Sequence, residues 1–89
     1  MATVRIPVLL RRYTDGQKDV PVSGNTAGEA LNDLTEQYPE LRDYLFDGDE
    51  LRSYVNIFIG KDDLRTLGGA SAPIEEDTVL RIIPSISGG

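Results

Sequence analysis

Apolar and polar residues alternate near the start of the chain. Val4, Ile6, Val8 and Leu10 are separated by Arg5, Pro7 and Leu9, and a period of two predicts a strand with one face in a core. Pro7 has no N–H to give to a ladder, so its nitrogen is expected to face no neighbouring strand. Thr14-Asp15-Gly16-Gln17 reads as a turn, because Asp-Gly is a strong hairpin signal. Gln17 to Val22 then returns as a second strand, with Val20 and Val22 on one face and Pro21 weakening its outer edge for pairing.

Ser23-Gly24-Asn25 breaks that strand and the period changes. Thr26-Ala27-Gly28-Glu29 fits a capping box, with the Thr26 hydroxyl on the Glu29 amide and the Glu29 carboxylate reaching back. Ala27, Ala30, Leu31, Leu34 and Tyr38 follow at helical spacing as one apolar stripe, with Glu29, Asp33 and Glu36 away from it. Pro39 ends the helix. Leu41, Tyr44, Leu45 and Phe46 suggest a second, short helical turn, and Asp47-Gly48-Asp49-Glu50 reads as a loop. The acids of that loop do not have the spacing of a calcium loop, and no metal site is expected.

Tyr54-Val55-Asn56-Ile57-Phe58-Ile59 is the clearest strand, with Val55, Ile57 and Ile59 on one face and Tyr54, Asn56 and Phe58 on the other. Gly60-Lys61-Asp62-Asp63 turns the chain, Leu64-Arg65 adds a short strand, and Thr66 to Ala72 is irregular, with Gly68-Gly69 as a plain turn inside it. Val79 to Ile83 is the last strand, stopped by Pro84. There is one good amphipathic stripe, so one helix must cover one face of a single sheet. Hairpin, helix crossover and further strands in this order make an α+β fold of β-grasp, ubiquitin-like type. A mixed sheet of about four or five strands carries one main helix on one face. The first and last strands are then parallel neighbours at the sheet centre. Residues 1–84 form the domain, and 85–89 form a flexible tail ending in Gly88-Gly89.

The strand parities leave one face of the sheet uncovered. Pro7, Leu9, Phe58 and Ile83 are expected there as an apolar patch, with Arg5, Asn56 and Arg81 beside them. Contiguous exposed apolar surface marks docking sites.

Composition narrows the chemistry. The 89 residues are 39% apolar and 27% charged and contain neither Cys nor His. The usual nucleophile, imidazole base and soft metal ligands are missing. A single domain of this size has room for one core but not also for a deep, closed active site. Fifteen acidic against nine basic residues give a formal charge of −6, which argues against nucleic acid as a partner, since phosphate neutralisation needs a basic face. No run approaches the ~18 apolar residues of a membrane span. The opening residues do not resemble a signal peptide, so a cytoplasmic protein is expected. What remains is the carboxylate of Gly89, whether encoded there or exposed by trimming. Gly88 and Gly89 have no Cβ, so a partner's backbone can approach them closely.

The chain resembles the ThiS/MoaD family of sulfur carriers, and within it the CysO-like carriers of actinobacterial type. The resemblance spans nearly the whole chain. It rests on Ile6-Pro7 through Leu10-Arg11, Gly16-Gln17-Lys18, and Thr26 through Leu31 with Leu34 and Tyr38-Pro39. It continues in Val55 through Ile59, Asp63-Leu64-Arg65, Leu67-Gly68-Gly69, Ile83-Pro84 and the terminal Gly88-Gly89. Pro7 stands where the family has a bulky aromatic. The resemblance implies that an activating enzyme of the E1-like, MoeB/ThiF type uses ATP to adenylate Gly89, and that a sulfur nucleophile converts the adenylate to a thiocarboxylate. A second, biosynthetic enzyme then takes the sulfur for cysteine, a cofactor or a thio-containing natural product. No cofactor is bound by the carrier itself, and it is a co-substrate rather than an enzyme. In this picture Gly88 and Gly89 thread a narrow channel, Ile86 anchors the tail, and Pro7, Leu9, Phe58, Arg81 and Ile83 position the body. A ubiquitin-like modifier, joined to lysines through the same activated glycine, differs only in the nucleophile. A β-grasp binding module with an incidental Gly-Gly end is a third reading. A self-contained enzyme fits worst, since no carboxylate pair forms a recognisable acid/base constellation.

Overall fold

The computed structural model describes residues 1–84. A five-stranded mixed sheet has the order β2-β1-β7-β5-β6, where β1 is Ala2–Arg5, β2 Asp19–Val22, β5 Val55–Ile59, β6 Asp62–Asp63 and β7 Val79–Pro84. β1 runs antiparallel to β2 and parallel to β7, and β5 is antiparallel to β7. The first and last strands therefore meet in parallel at the centre, as the β-grasp reading expects. The main helix α1 (Ala27–Gln37) lies on one face and is followed by the short α2 (Glu40–Leu45). A small hairpin of β3 (Phe46–Asp47) and β4 (Glu50–Leu51) then leads to β5.

The core forms where the two periodicities meet. Val4, Val20, Val22, Val55, Ile57, Leu80 and Ile82 point from the sheet toward Ala27, Ala30, Leu31 and Leu34 of α1, all buried. The capping box is present with one change. The Thr26 hydroxyl accepts from the Glu29 amide at 3.2 Å, and the Glu29 carboxylate accepts from the amide of Asn25, one residue before the cap, at 2.8 Å. Gly24 permits this closure: a Cβ there would lie 2.7 Å from Glu29 Cβ and 2.9 Å from the Ala30 nitrogen. Thr26→Ala is expected to destabilise the fold by about 1 kcal/mol, read as a lower denaturant midpoint with an unchanged slope. The helix stops at Gln37 because Tyr38 precedes Pro39 and is pushed out of the helical region, to φ −132° and ψ 81°.

Helix side chains also protect a sheet edge. Gln37 Nε2 donates to the Pro21 carbonyl at 3.0 Å, and the Ser23 amide donates to the Asp33 carboxylate at 2.9 Å. Pro21 and these side chains leave little of β2 open to another strand.

Four expectations are corrected. The alternation from Val4 to Leu10 is not one strand: β1 ends at Arg5, and Val8–Tyr13 is a 3-10 helix. β1 is a central strand with neighbours on both sides, and a central strand cannot continue through a residue with no N–H. Val8 therefore leaves the core face and is 75% exposed, whereas Leu10 is reburied by the helical turn. The connection from β1 to β2 is accordingly long rather than a tight Asp-Gly hairpin. Its turn still uses Asp15 and Gly16 at φ 54° and 83°, closed by the buried Thr14 hydroxyl 2.9 Å from the Gln17 carbonyl. Leu64-Arg65 is not a strand either. The strand is Asp62–Asp63, and the Asp63 carboxylate accepts from the Arg65 amide at 2.8 Å, starting a 3-10 turn over Leu64–Leu67. Finally, the stretch Asp47 to Glu50, read as a loop, is the tip of the β3–β4 hairpin: Asp47 pairs with Glu50 and Gly48 turns the chain at φ 67°.

Candidate functional site

The uncovered face of the sheet is built on one row of cross-strand neighbours. Asp19 pairs with Arg5, Arg5 with Arg81, Arg81 with Phe58, and Phe58 with Asp63. Like charges opposite one another repel, and here the two arginines turn to opposite sides. Arg5 Nε donates to Asp19 at 3.0 Å, and an Arg81 guanidinium nitrogen donates to the Gly60 carbonyl at 2.8 Å. Both Arg5 and Asp19 are about half exposed, so their pair contributes about 0–1 kcal/mol. Its main effect is to place charge beside the apolar part of the face.

The next row pairs Asn56 with Ile83. Arg65 fixes the open side of β5 here. Its guanidinium donates to the Val55 carbonyl at 2.8 Å and to Asn56 Oδ1 at 3.0 Å. The edge of β5 that β6 does not reach is thereby filled by a side chain rather than left for another strand.

Beyond the Arg5–Arg81 pair the first strand has left the sheet by Pro7, while β7 stays paired with β5 through Ile83 to Pro84. β5 begins at this same end, since Val55 pairs with Pro84. Four exposed apolar residues gather there: Val8 at 75%, Leu9 at 48%, Tyr54 at 42% and Ile83 at 40%. Tyr54 packs edge-on against Tyr44, with ring centres 5.8 Å apart, and its hydroxyl lies 3.4 Å from the Tyr44 carbonyl. Burial, then the neighbouring phenols of Tyr54 and Tyr13, push the Tyr44 phenol above its ordinary value. The collar around the exit of β7 is thus apolar and aromatic.

Of the residues expected to bind a partner, Phe58, Arg81 and Ile83 lie together on the sheet face. Phe58 and Arg81 are half-buried and Ile83 is exposed. Pro7 and Leu9 do not lie on that face. They enter and begin the 3-10 helix at its end, with Pro7 half-buried. Ile86, Gly88 and Gly89 lie outside the described residues. The sequence reading missed Val8 and did not weigh Tyr54 as a contact. The signal for Val8 was Pro7 in a strand that had to be central. Among the described residues, no three acidic side chains converge as a metal site would need, and no helix is long and apolar enough to cross a membrane.

The model of the ThiS family matches residues 4–89 of this sequence. The chain belongs to the ThiS family. It is 37% identical over 90 residues to the sulfur carrier protein CysO of Mycobacterium tuberculosis, covering 98% of this chain and 97% of that protein. A chain in the crystal structure of the Amycolatopsis orientalis BexX/CysO complex superposes with a TM-score of 0.92 at 30% identity, covering 100% of both chains. Small archaeal modifier protein 1 from Methanosarcina acetivorans superposes at 0.87, also at 30% identity, over 99% of this chain and 95% of that one. This ThiS-family chain is therefore a homologue of the sulfur carrier protein CysO, with a ubiquitin-like β-grasp fold.

Proposed function

We propose that the protein carries sulfur as a thiocarboxylate on Gly89. The observation that carries this reading is the family match running through residue 89, over the diglycine end. The collar of Val8, Leu9, Tyr54 and Ile83 at the exit of β7 supports it, since a partner grasping the tail meets an apolar surface there. An E1-like activating enzyme of the MoeB/ThiF type binds the tail and uses ATP. The Gly89 carboxylate attacks the α-phosphorus, releasing pyrophosphate and leaving an acyl-adenylate. A sulfide then attacks the carbonyl carbon and expels AMP, so that one carboxylate oxygen leaves with the phosphate and sulfur takes its place. Gly88 and Gly89 let the tail thread a narrow channel, with Ile86 as its anchor. A second, sulfur-accepting biosynthetic enzyme consumes the thiocarboxylate, and the carrier is the co-substrate of both in the cytoplasm. The complex of BexX with CysO is a solved pairing of a related carrier with another protein.

Intact mass after incubation with ATP, sulfide and a ThiS-family activating enzyme tests the chemistry. The expected result is a gain equal to exchanging one oxygen for sulfur in the full chain, and none in a chain lacking Gly88 and Gly89. No gain from an enzyme that loads its own carrier would overturn the reading. The structural likeness to an archaeal modifier favours one alternative, attack of a lysine amine on the same adenylate. That chemistry gives larger conjugates in place of a thiocarboxylated free chain.

A further inference from the structure

A second surface lies away from the β7 exit. Beside α1, a cavity of about 290 Å³ has Leu31 and Leu64 at its floor and Phe46 and Leu51 as one wall. Leu31 and Leu64 are core residues, whereas Phe46 and Leu51 are half-buried partners across the β3–β4 hairpin. Gly28 and Ala70 form the opposite wall, where α1 approaches the turn so closely that a Cβ on Gly28 would lie 3.0 Å from the Ala70 carbonyl oxygen. Asp49 and Glu50, both exposed, stand on the lip. Among the described residues neither is in an ion pair, the two pairs being Arg5–Asp19 and Arg65–Asp63. Arg65 also borders the cavity, but its guanidinium is held by the Val55 carbonyl and Asn56 and lies 3.8 Å from Asp63. Asp49 and Glu50 thus place negative charge at the lip of an apolar floor, and the Arg42 guanidinium stands over the Phe46 ring, 5.5 Å from its centre.

Size and charge select the occupant. Pockets for drug-sized ligands and cofactors run from about 300 to 1,000 Å³, and this one, at about 290 Å³, is at the lower end and has room for one or two side chains. We propose that the notch is a second docking site for a basic segment of a partner protein. A Leu- or Phe-sized side chain enters against Phe46 and Leu51, and a neighbouring Lys or Arg pairs with Asp49 and Glu50. Its lining shares no residue with the Val8, Leu9, Tyr54 and Ile83 collar. A partner held here leaves the tail free for a second protein, which fits a chain that must be handed from one enzyme to another.

Titration of the ¹⁵N-labelled protein with acetyl-Lys-Leu-Phe-Lys-amide, and separately with acetyl-Glu-Leu-Phe-Glu-amide, tests this. The basic peptide is expected to give saturable amide shifts at Gly28, Leu51, Leu64, Gly69 and Ala70. The acidic peptide should bind about tenfold more weakly, the scale expected when two exposed pairs are exchanged for repulsions. Asp49→Lys combined with Glu50→Lys should reverse the preference, with the amide shifts of buried Val4 and Leu80 unchanged as the check that the fold is intact. Equal response to both peptides, no saturable response, or shifts centred on Phe58 and Ile83 would each overturn the proposal.

Discussion

Ile83→Asp is expected to lower kcat/KM for sulfur loading by at least about tenfold while leaving thermal stability nearly unchanged. The residue is 40% exposed, on the sheet face, paired with Asn56 and one residue before the end of β7. Fully covering an exposed aliphatic side chain of this size contributes about 1.5–3 kcal/mol, so covering the exposed 40% of Ile83 contributes about 0.6–1.2 kcal/mol, against about 1.4 kcal/mol for a factor of ten. An aspartate would both remove that gain and add a charge to be desolvated. Because the side chain makes no core contact in the free protein, the loss should appear as a higher KM for the carrier, with kcat little changed. Phe58→Ala should act in the same direction. Steady-state loading at varied carrier concentration reads the split. If both variants load like the wild type, the activating enzyme does not use this face, and the tail alone carries recognition.

Leu80→Ala is expected to have the largest effect on stability. Leu80 is fully buried, with Val4 on its parallel side and Ile59 on its antiparallel side. Truncating a buried leucine costs about 2–5 kcal/mol, more where the surroundings cannot collapse into the space. Neighbours on both flanks and α1 above leave little freedom to collapse. At about 0.05–0.15 kcal/mol per residue, a chain of 89 residues has roughly 4–13 kcal/mol in total, so this one change removes a large fraction. Equilibrium denaturation should show a much lower midpoint for Leu80→Ala. A drop below about 1 kcal/mol would mean that β7 is not the central packing element described here.

The residues that were legible from sequence are those whose local pattern and long-range setting agree. α1 is one case: cap, stripe and proline stop lie within one short segment and need no distant partner. β5 and β7 are another, since their parities place Phe58, Arg81 and Ile83 on one face whatever lies beside them. The stretch from Pro7 to Leu10 was misread for the opposite reason. Its alternation matches a strand, but the sheet order decides whether a proline can continue it, and β1 is central. Leu64-Arg65 was misread because the Asp63 cap is as local a signal as strand propensity, and it prevailed.

By itself, the sequence determined the chemistry that is possible. It holds neither Cys nor His, so no thiol or imidazole is available, and the proposed reactive group is the Gly89 carboxylate. It also determined the main helix and the strands β2, β5 and β7, because helical and strand periodicities are local properties of the chain. The tertiary structure alone decided which apolar residues reach solvent together. The Val8-Leu9 pair, Tyr54 and Ile83 are far apart in sequence. They meet at one end because β1 and β7 run parallel, β5 runs antiparallel, and a proline forces the central strand to turn away there. The acidic-lipped notch is likewise a product of packing, closed by the approach of Gly28 to Ala70 and walled by a hairpin whose two apolar residues face each other. Such surfaces depend on non-local contacts, which a pattern read along one chain does not contain.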